Sequence, residues 1–118
     1  MAGKTDRVKD SNRFSIISNI NRCYVCGTKD NLHIHEVFGG SNRAKSKEYG
    51  MVIALCGPHH NMSSAGIHFN KGLDEHVKKQ AEKYWILEYC DKNLSAEEKI
   101  KEFIKVFGKN YLEEDEVL

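Results

Sequence analysis

Apolar positions gather in short groups separated by polar segments, and the spacing within each group predicts its element. Residues 14–20 (FSIISNI) are apolar and β-branched, which predicts a short strand. Residues 31–38 (NLHIHEVF) alternate and predict a second strand, ended by Gly39 and Gly40. A polar loop, SNRAKSKEYG, is expected over residues 41–50. Residues 51–55 (MVIAL) form a continuous apolar run, long enough for a buried strand and too short for a helix. After Cys56, the text GPHHNMSSAG reads as one or two helical turns broken at Gly66. From residue 74 to 89, the positions of Val77, Ala81, Tyr84 or Trp85, and Leu87 or Glu88 fit an amphipathic helix with Lys78, Lys79, Glu82 and Lys83 outside. Ser95 to Glu98 carries the capping-box pattern, and Ile100, Phe103, Ile104 and Phe107 form one helical face that closes at Gly108.

These elements describe a small α+β protein. A chain of 118 residues has room for one compact domain. That domain is expected over residues 13–112, with a core over about 20–70 and helices over about 73–108. The charged segment 1–12 reads as a flexible tail, and the acidic end 113–118 (EEDEVL) as solvated.

Net charge is only +1, so composition alone makes no case for a polyanionic partner. The distribution is uneven. Residues 1–50 carry nine basic and five acidic side chains, against nine and twelve in residues 51–118, so a polyanion is expected to approach the first half. No apolar run approaches a membrane span and the N-terminus lacks a signal-peptide core, which predicts a cytoplasmic protein. In a reducing compartment, four Cys of which two form Cys23-x-x-Cys26 point to metal rather than to disulfides.

Cys23-Tyr-Val-Cys26-Gly27 is a knuckle: two thiolates converge on one ion and the glycine permits the turn that aims them. Cys56-Gly-Pro-His59 supplies a second pair at the same spacing. Together they predict a tetrahedral structural zinc site of Cys23, Cys26, Cys56 and His59, with the reservation that His60 is adjacent and only one of the two can face the ion. Cys90 stands alone and reads as packing. Five of the six histidines fall between residues 33 and 68, more than folding requires. On a strand His33 and His35 share one face and Ile34 and Glu36 the other. His35 and His60 are the candidates for a second, open metal site beside the zinc; His33 and His76 read as surface or packing residues.

The succession of Cys-x-x-Cys-Gly, the strand HIHEVFGG and Leu-Cys-x-x-His-His-Asn resembles the HNH nuclease superfamily, in particular small phage-associated HNH proteins. RFSI at residues 13–16, GGSNR at 39–43, EYGMVIALC at 48–56 and VFGKNYL at 106–112 extend the resemblance over about residues 13–112. It implies a zinc-stapled ββα-metal (His-Me finger) domain with two added C-terminal helices. It also implies hydrolysis of DNA phosphodiesters with one divalent ion, Mg²⁺ or Mn²⁺. Carried over, His35 and His60 match the ligands of that ion, while Glu36 stands where the general-base histidine is usual. A carboxylate is a weaker base than an imidazole, so Glu36 is expected to bind or orient the ion, leaving His68 or water on the metal to act as base. Asn42 is expected to pin the loop around the site, and Arg43, Lys45 and Lys47 to contact phosphate as an alternating basic strip. Tyr49 and Trp85 belong to apolar patterns and read as core. The expected function is a DNA endonuclease or nickase. The alternative is a non-catalytic zinc module that binds nucleic acid or a protein partner, from phage or host.

Overall fold

Two short strands form an antiparallel pair, β1 (Leu32–Glu36) and β2 (Val52–Cys56), in the register Leu32↔Cys56, His33↔Leu55, Ile34↔Ala54, His35↔Ile53 and Glu36↔Val52. The computed structural model describes residues 14–117, so the expected N-terminal tail lies outside the described residues. Every residue of β2 is buried, as its unbroken apolar run predicts, and Met51 just before it is buried too. That strand is the floor of the core. Among the described residues four helices surround the pair: α1 (Arg43–Tyr49), the single turn α2 (Gly57–His60), α3 (Lys71–Tyr89) and α4 (Ala96–Phe107). Val77, Ala81 and Trp85 of α3 and Phe103 and Phe107 of α4 join Phe38 and the Ile53, Leu55 and Cys56 side chains of β2 in one apolar cluster. Phe38 stands 5.6 Å from Phe103 and 4.7 Å from Phe107, ring centre to ring centre. The arrangement is α+β. No helix among the described residues is long and apolar enough to cross a membrane.

The helical forecasts hold where caps are written into the sequence. Ser95 accepts the Glu98 N–H at 3.1 Å while the Glu98 carboxylate accepts the Ser95 N–H at 2.8 Å, and Gly108 ends α4 in the left-handed conformation. The third helix starts three residues earlier than expected, because the Asn70 side chain accepts the Leu73 N–H and caps it at Lys71.

Two expectations fail for local reasons. Residues 14–20 form bends rather than a strand. The Ser15 hydroxyl accepts the N–H groups of both Ile17 and Ser18, diverting donors that a ladder would need, and it donates to the Val52 carbonyl at 2.6 Å. The polar segment 41–50 is not a loop but a 3-10 turn (Gly40–Asn42) running into α1. Ala, Lys and Glu are good helix formers, and Gly50 at φ 74° supplies the stop. Ser46, fully buried, anchors that helix: its hydroxyl donates to the Phe38 carbonyl at 2.7 Å and accepts the Phe38 N–H at 3.0 Å.

Glu82 overturns a third expectation. Placed outside by the helical pattern, it is fully buried and accepts the Tyr111 N–H at 2.8 Å, fastening the returning C-terminal segment to α3. Its second oxygen has no hydrogen-bond partner. The acidic end is correspondingly less free than expected. Glu113, Glu114 and Asp115 are exposed, but Val117 packs on the core and Glu116 pairs with Lys79 at 3.5 Å.

Burial raises the Glu82 carboxyl from 4.5 to about 7, against the pull of the Tyr111 N–H. The native state therefore holds this proton more tightly than the unfolded chain. Its contribution is complete below the ordinary carboxylate range and is lost as pH rises through about 7. Glu82→Gln keeps the acceptor and removes the charge. The variant is expected to gain stability relative to the parent between about pH 5 and pH 8, by on the order of 2 kcal/mol at the upper end. Thermal melts of both proteins across that range measure the gap; a gap that does not widen with pH would count against a buried titrating carboxyl.

Candidate metal centre

The Cys23–Cys26 knuckle turns at Gly27, whose φ of 78° suits glycine and whose N–H donates to the Cys23 carbonyl at 2.9 Å. The Tyr24 N–H donates to the Ala54 carbonyl, tying the knuckle to β2 two residues before Cys56. On the other side, β2 passes directly into α2, which carries His59 and His60. The ligand atoms of Cys23, Cys26, Cys56 and His59 all lie within 4.8 Å of one another. Cys26 Sγ is 3.8 Å from Cys56 Sγ, and His59 Nδ1 is 3.7 Å from Cys23 Sγ and 3.2 Å from Cys56 Sγ. A tetrahedral zinc with ordinary Zn–S and Zn–N bonds requires ligand separations of about 3.5 to 3.8 Å. The four residues can hold such an ion, and His59 rather than His60 completes the set.

Their chemistry agrees. Burial alone would push the Cys23 thiol up, but hydrogen bonds at the Cys26, Cys56 and Val25 backbone outweigh it and bring it down to about 6. Cys56 moves the other way. Burial raises it, a backbone hydrogen bond at His59 opposes that, and the crowding thiols of Cys23 and Cys26 add to the rise. Thiolates this close repel until a cation sits between them.

Consecutive residues on a helix point about 100° apart. His59 faces the thiols, so His60 turns toward β1. There it meets His35 and His68, and the three offer ligand nitrogens within 4.8 Å of one another. His60 Nε2 is 3.0 Å from His68 Nε2, and the His35 ring centre lies 5.4 Å from that of His60 and 5.3 Å from that of His68. His68 comes from the 3-10 turn Ile67–Phe69. His35 Nε2 is buried and has no hydrogen-bond partner, a cost for the folded state whichever ring nitrogen carries the proton. Burial lowers His35 to about 4, helped by His60 and His68, and burial also lowers His60. Both shifts favour the uncharged ring, the form that binds a metal.

His33, expected to be surface or packing, has a contact the sequence did not disclose. Its Nδ1 is 2.9 Å from His60 Nδ1. One ring donates and the other accepts. With Nδ1 engaged this way, His60 is left to present Nε2 to the cluster, the arrangement expected of a metal-binding histidine and its supporting partner.

The imidazoles line a cleft of about 410 Å³ shared with Glu36, Arg43, Asp74 and Lys78. Glu36 is not among the converging ligands; its carboxylate pairs with Arg43 at 3.6 Å. Asp74 and Lys78, paired at 2.9 Å across one turn of α3, were not anticipated as site residues. Their spacing of four was the available signal, but nothing in the sequence tied that turn to the histidines.

The basic strip is rearranged. On a helix Arg43 and Lys47 share a face while Lys45 turns away. Lys45 Nζ donates to the Val106 carbonyl at 2.7 Å, and Asn42 Nδ2 to the Phe107 carbonyl at 2.8 Å, so both engage the end of α4. Asn42 does pin this segment, though to a helix terminus. Trp85 is core as expected, Tyr49 packs against it, His76 is exposed, and Cys90 is a partly buried free thiol.

Structural zinc sites contribute on the order of 10 kcal/mol of apparent binding free energy to small domains. Cys26→Ser or Cys56→Ser is therefore expected to lose bound zinc and the cooperative thermal transition. Metal analysis paired with calorimetry checks both, and parent-like melting of a zinc-free variant would remove the structural role.

No family model, no curated protein and no solved structure matches the chain.

Proposed function

We propose that the protein is a metal-dependent DNA endonuclease or nickase of HNH type, with the Cys23, Cys26, Cys56 and His59 cluster holding zinc and the His35, His60 and His68 cluster holding a catalytic divalent ion. The observation that carries this reading is the convergence of three imidazoles, His35, His60 and His68, on one cleft, with His35 buried and its Nε2 lacking a hydrogen-bond partner. Two metal clusters of different donor type, one thiolate-rich and closed, one of imidazoles beside an open cleft, match a structural and a catalytic division of labour.

When bound, the divalent ion supplies Lewis-acid stabilisation of charge on the phosphate oxygens and on the departing alkoxide. The chain's own part is positional. His33 holds His60, β1 holds His35, and the 3-10 turn brings His68 across the cleft. Arg43 projects beside them with its side chain 64 % exposed, available to a non-bridging phosphate oxygen in exchange for its long contact with Glu36. Attack of water forms one P–O bond and breaks another, and the water's proton needs an acceptor. With His68 drawn into the imidazole cluster, Glu36 and Asp74 are the carboxylates left along the cleft, each already beside a cation. The pairing of Glu36 with Arg43 also favours the second reading, a DNA-binding module that does not cleave.

Supercoiled plasmid separates the two. Nicking or linearisation with Mg²⁺ or Mn²⁺, absent when those ions are withheld from zinc-loaded protein, is expected for the parent and is expected to vanish in His35→Ala. His33→Ala should retain zinc but need roughly 10- to 100-fold more Mn²⁺. Glu36→Gln should weaken Mn²⁺ affinity if Glu36 orients the ion, and Glu36→His should raise cleavage if only a base is lacking. An intact plasmid under every condition would leave the binding module.

Phosphate contacts on α1 are read from salt dependence. Replacing Arg43 and Lys47 together with Ala is expected to flatten the plot of log affinity against log salt by about two. Lys45→Ala, whose ammonium already serves the Val106 carbonyl, is expected to leave the slope in place. A slope unchanged by the double variant would put the DNA on another face.

A further inference from the structure

We propose that a recess beside the imidazole cluster receives one unstacked nucleobase against the ring of Phe69, which makes single-stranded nucleic acid the preferred ligand class. The inference takes nucleic acid as the ligand from the reading above, and does not depend on cleavage.

Phe69 is 66 % exposed, the most exposed large apolar side chain among the described residues. A single exposed phenyl ring on an arbitrary surface needs no explanation. This one sits in a particular place. It follows His68 in the same 3-10 turn, about 3.8 Å away between Cα atoms. With Ile67, His68, Lys71 and Asp74 it lines a recess of about 380 Å³. That recess shares His68 and Asp74 with the imidazole cleft, so the two spaces adjoin.

In a nucleotide one sugar separates phosphate from base. A phosphate held by Arg43 or Lys78 in the imidazole cleft therefore carries a base over the adjoining recess. The groups there suit one: an aromatic face for stacking, the Asp74 carboxylate to accept from an exocyclic amine, and the exposed Lys71 ammonium to donate to a base carbonyl or the next phosphate. Bases in an intact duplex are covered on both faces and offer none to Phe69. A single strand, or a strand locally opened, can.

The test uses zinc-loaded protein without added Mg²⁺ or Mn²⁺, so that cleavage does not enter. A short single strand carrying a fluorescent base analogue is compared with its duplex and with the same strand made abasic. The parent is expected to bind the intact strand more tightly than the other two and to quench the analogue. Phe69→Ala should lose about tenfold in affinity for the intact strand, together with the quenching, and should bind the abasic strand as the parent does. Phe69→Trp should restore both. Equal binding of the intact strand by the parent and Phe69→Ala, a preference for duplex, or no binding of the strand overturns the proposal. Quenching in a protein that never cuts plasmid would remove the catalytic reading and leave the base subsite, whereas cleavage by the parent with Phe69→Ala indistinguishable in strand binding would remove the subsite alone.

Discussion

The register of β1 on β2 is the constraint on which both ligand clusters depend. Leu32 opposite Cys56 sets the end of the ladder, and α2 begins at the next residue. Because side chains alternate along a strand, His33 and His35 reach His60 from the same face of β1. A slip of one residue would turn both away and bring Ile34 and Glu36 round instead. The register is protected by the cost of exposing β2, every residue of which is buried. It is fastened beyond the ladder as well, by the Val37 N–H on the Met51 carbonyl at one end and the Gly57 N–H on the Asn31 carbonyl at the other. Core packing and site geometry are thus one requirement.

Much of this was legible because it is local. The two Cys-x-x pairs state their spacing outright, the capping box at Ser95 and the stop at Gly108 are written in four-residue patterns, and a run such as MVIAL has few alternatives. What was not legible depends on partners far along the chain. Ser46 reads as one polar residue among many until Phe38 is seen to take both its donor and its acceptor. Glu82 lies on the polar side of its helical pattern, and only Tyr111, 29 residues on, explains its burial. His33 and His60 are 27 residues apart. The choice between His59 and His60 needed the direction of one helical turn, which spacing cannot supply.

The charged groups around the cleft are compensated pairwise. Glu36 faces Arg43 and Asp74 faces Lys78, so the imidazoles sit among two acids and two bases rather than in a field of one sign. Pairs open to solvent on at least one side are weak, on the order of 1 kcal/mol, and exchange partners readily. An anion such as the phosphate of the proposed ligand could therefore take Arg43 or Lys78 with little loss elsewhere. The even charge balance of the whole chain, which gave no sign of a polyanionic partner, is compatible with a locally adaptable site of this sort.

A helix of four residues does not hold its shape alone in water, because nucleating the first turn costs more than its few hydrogen bonds return. The turn α2 is shaped by what grips it on two sides. His59 joins it to the thiol cluster and His60 to the imidazole cluster, with no residue between them to absorb movement. An ion bound at the thiols restricts the orientations of His59, and through one peptide unit those of His60. If both clusters take an ion as proposed, affinity at the imidazole cluster would depend on occupancy of the thiol cluster, and by linkage the dependence would run equally in both directions. On the proposed reading the thiol cluster is more than a clasp for a small fold: it would set how much ordering remains to be done for an ion at the imidazoles.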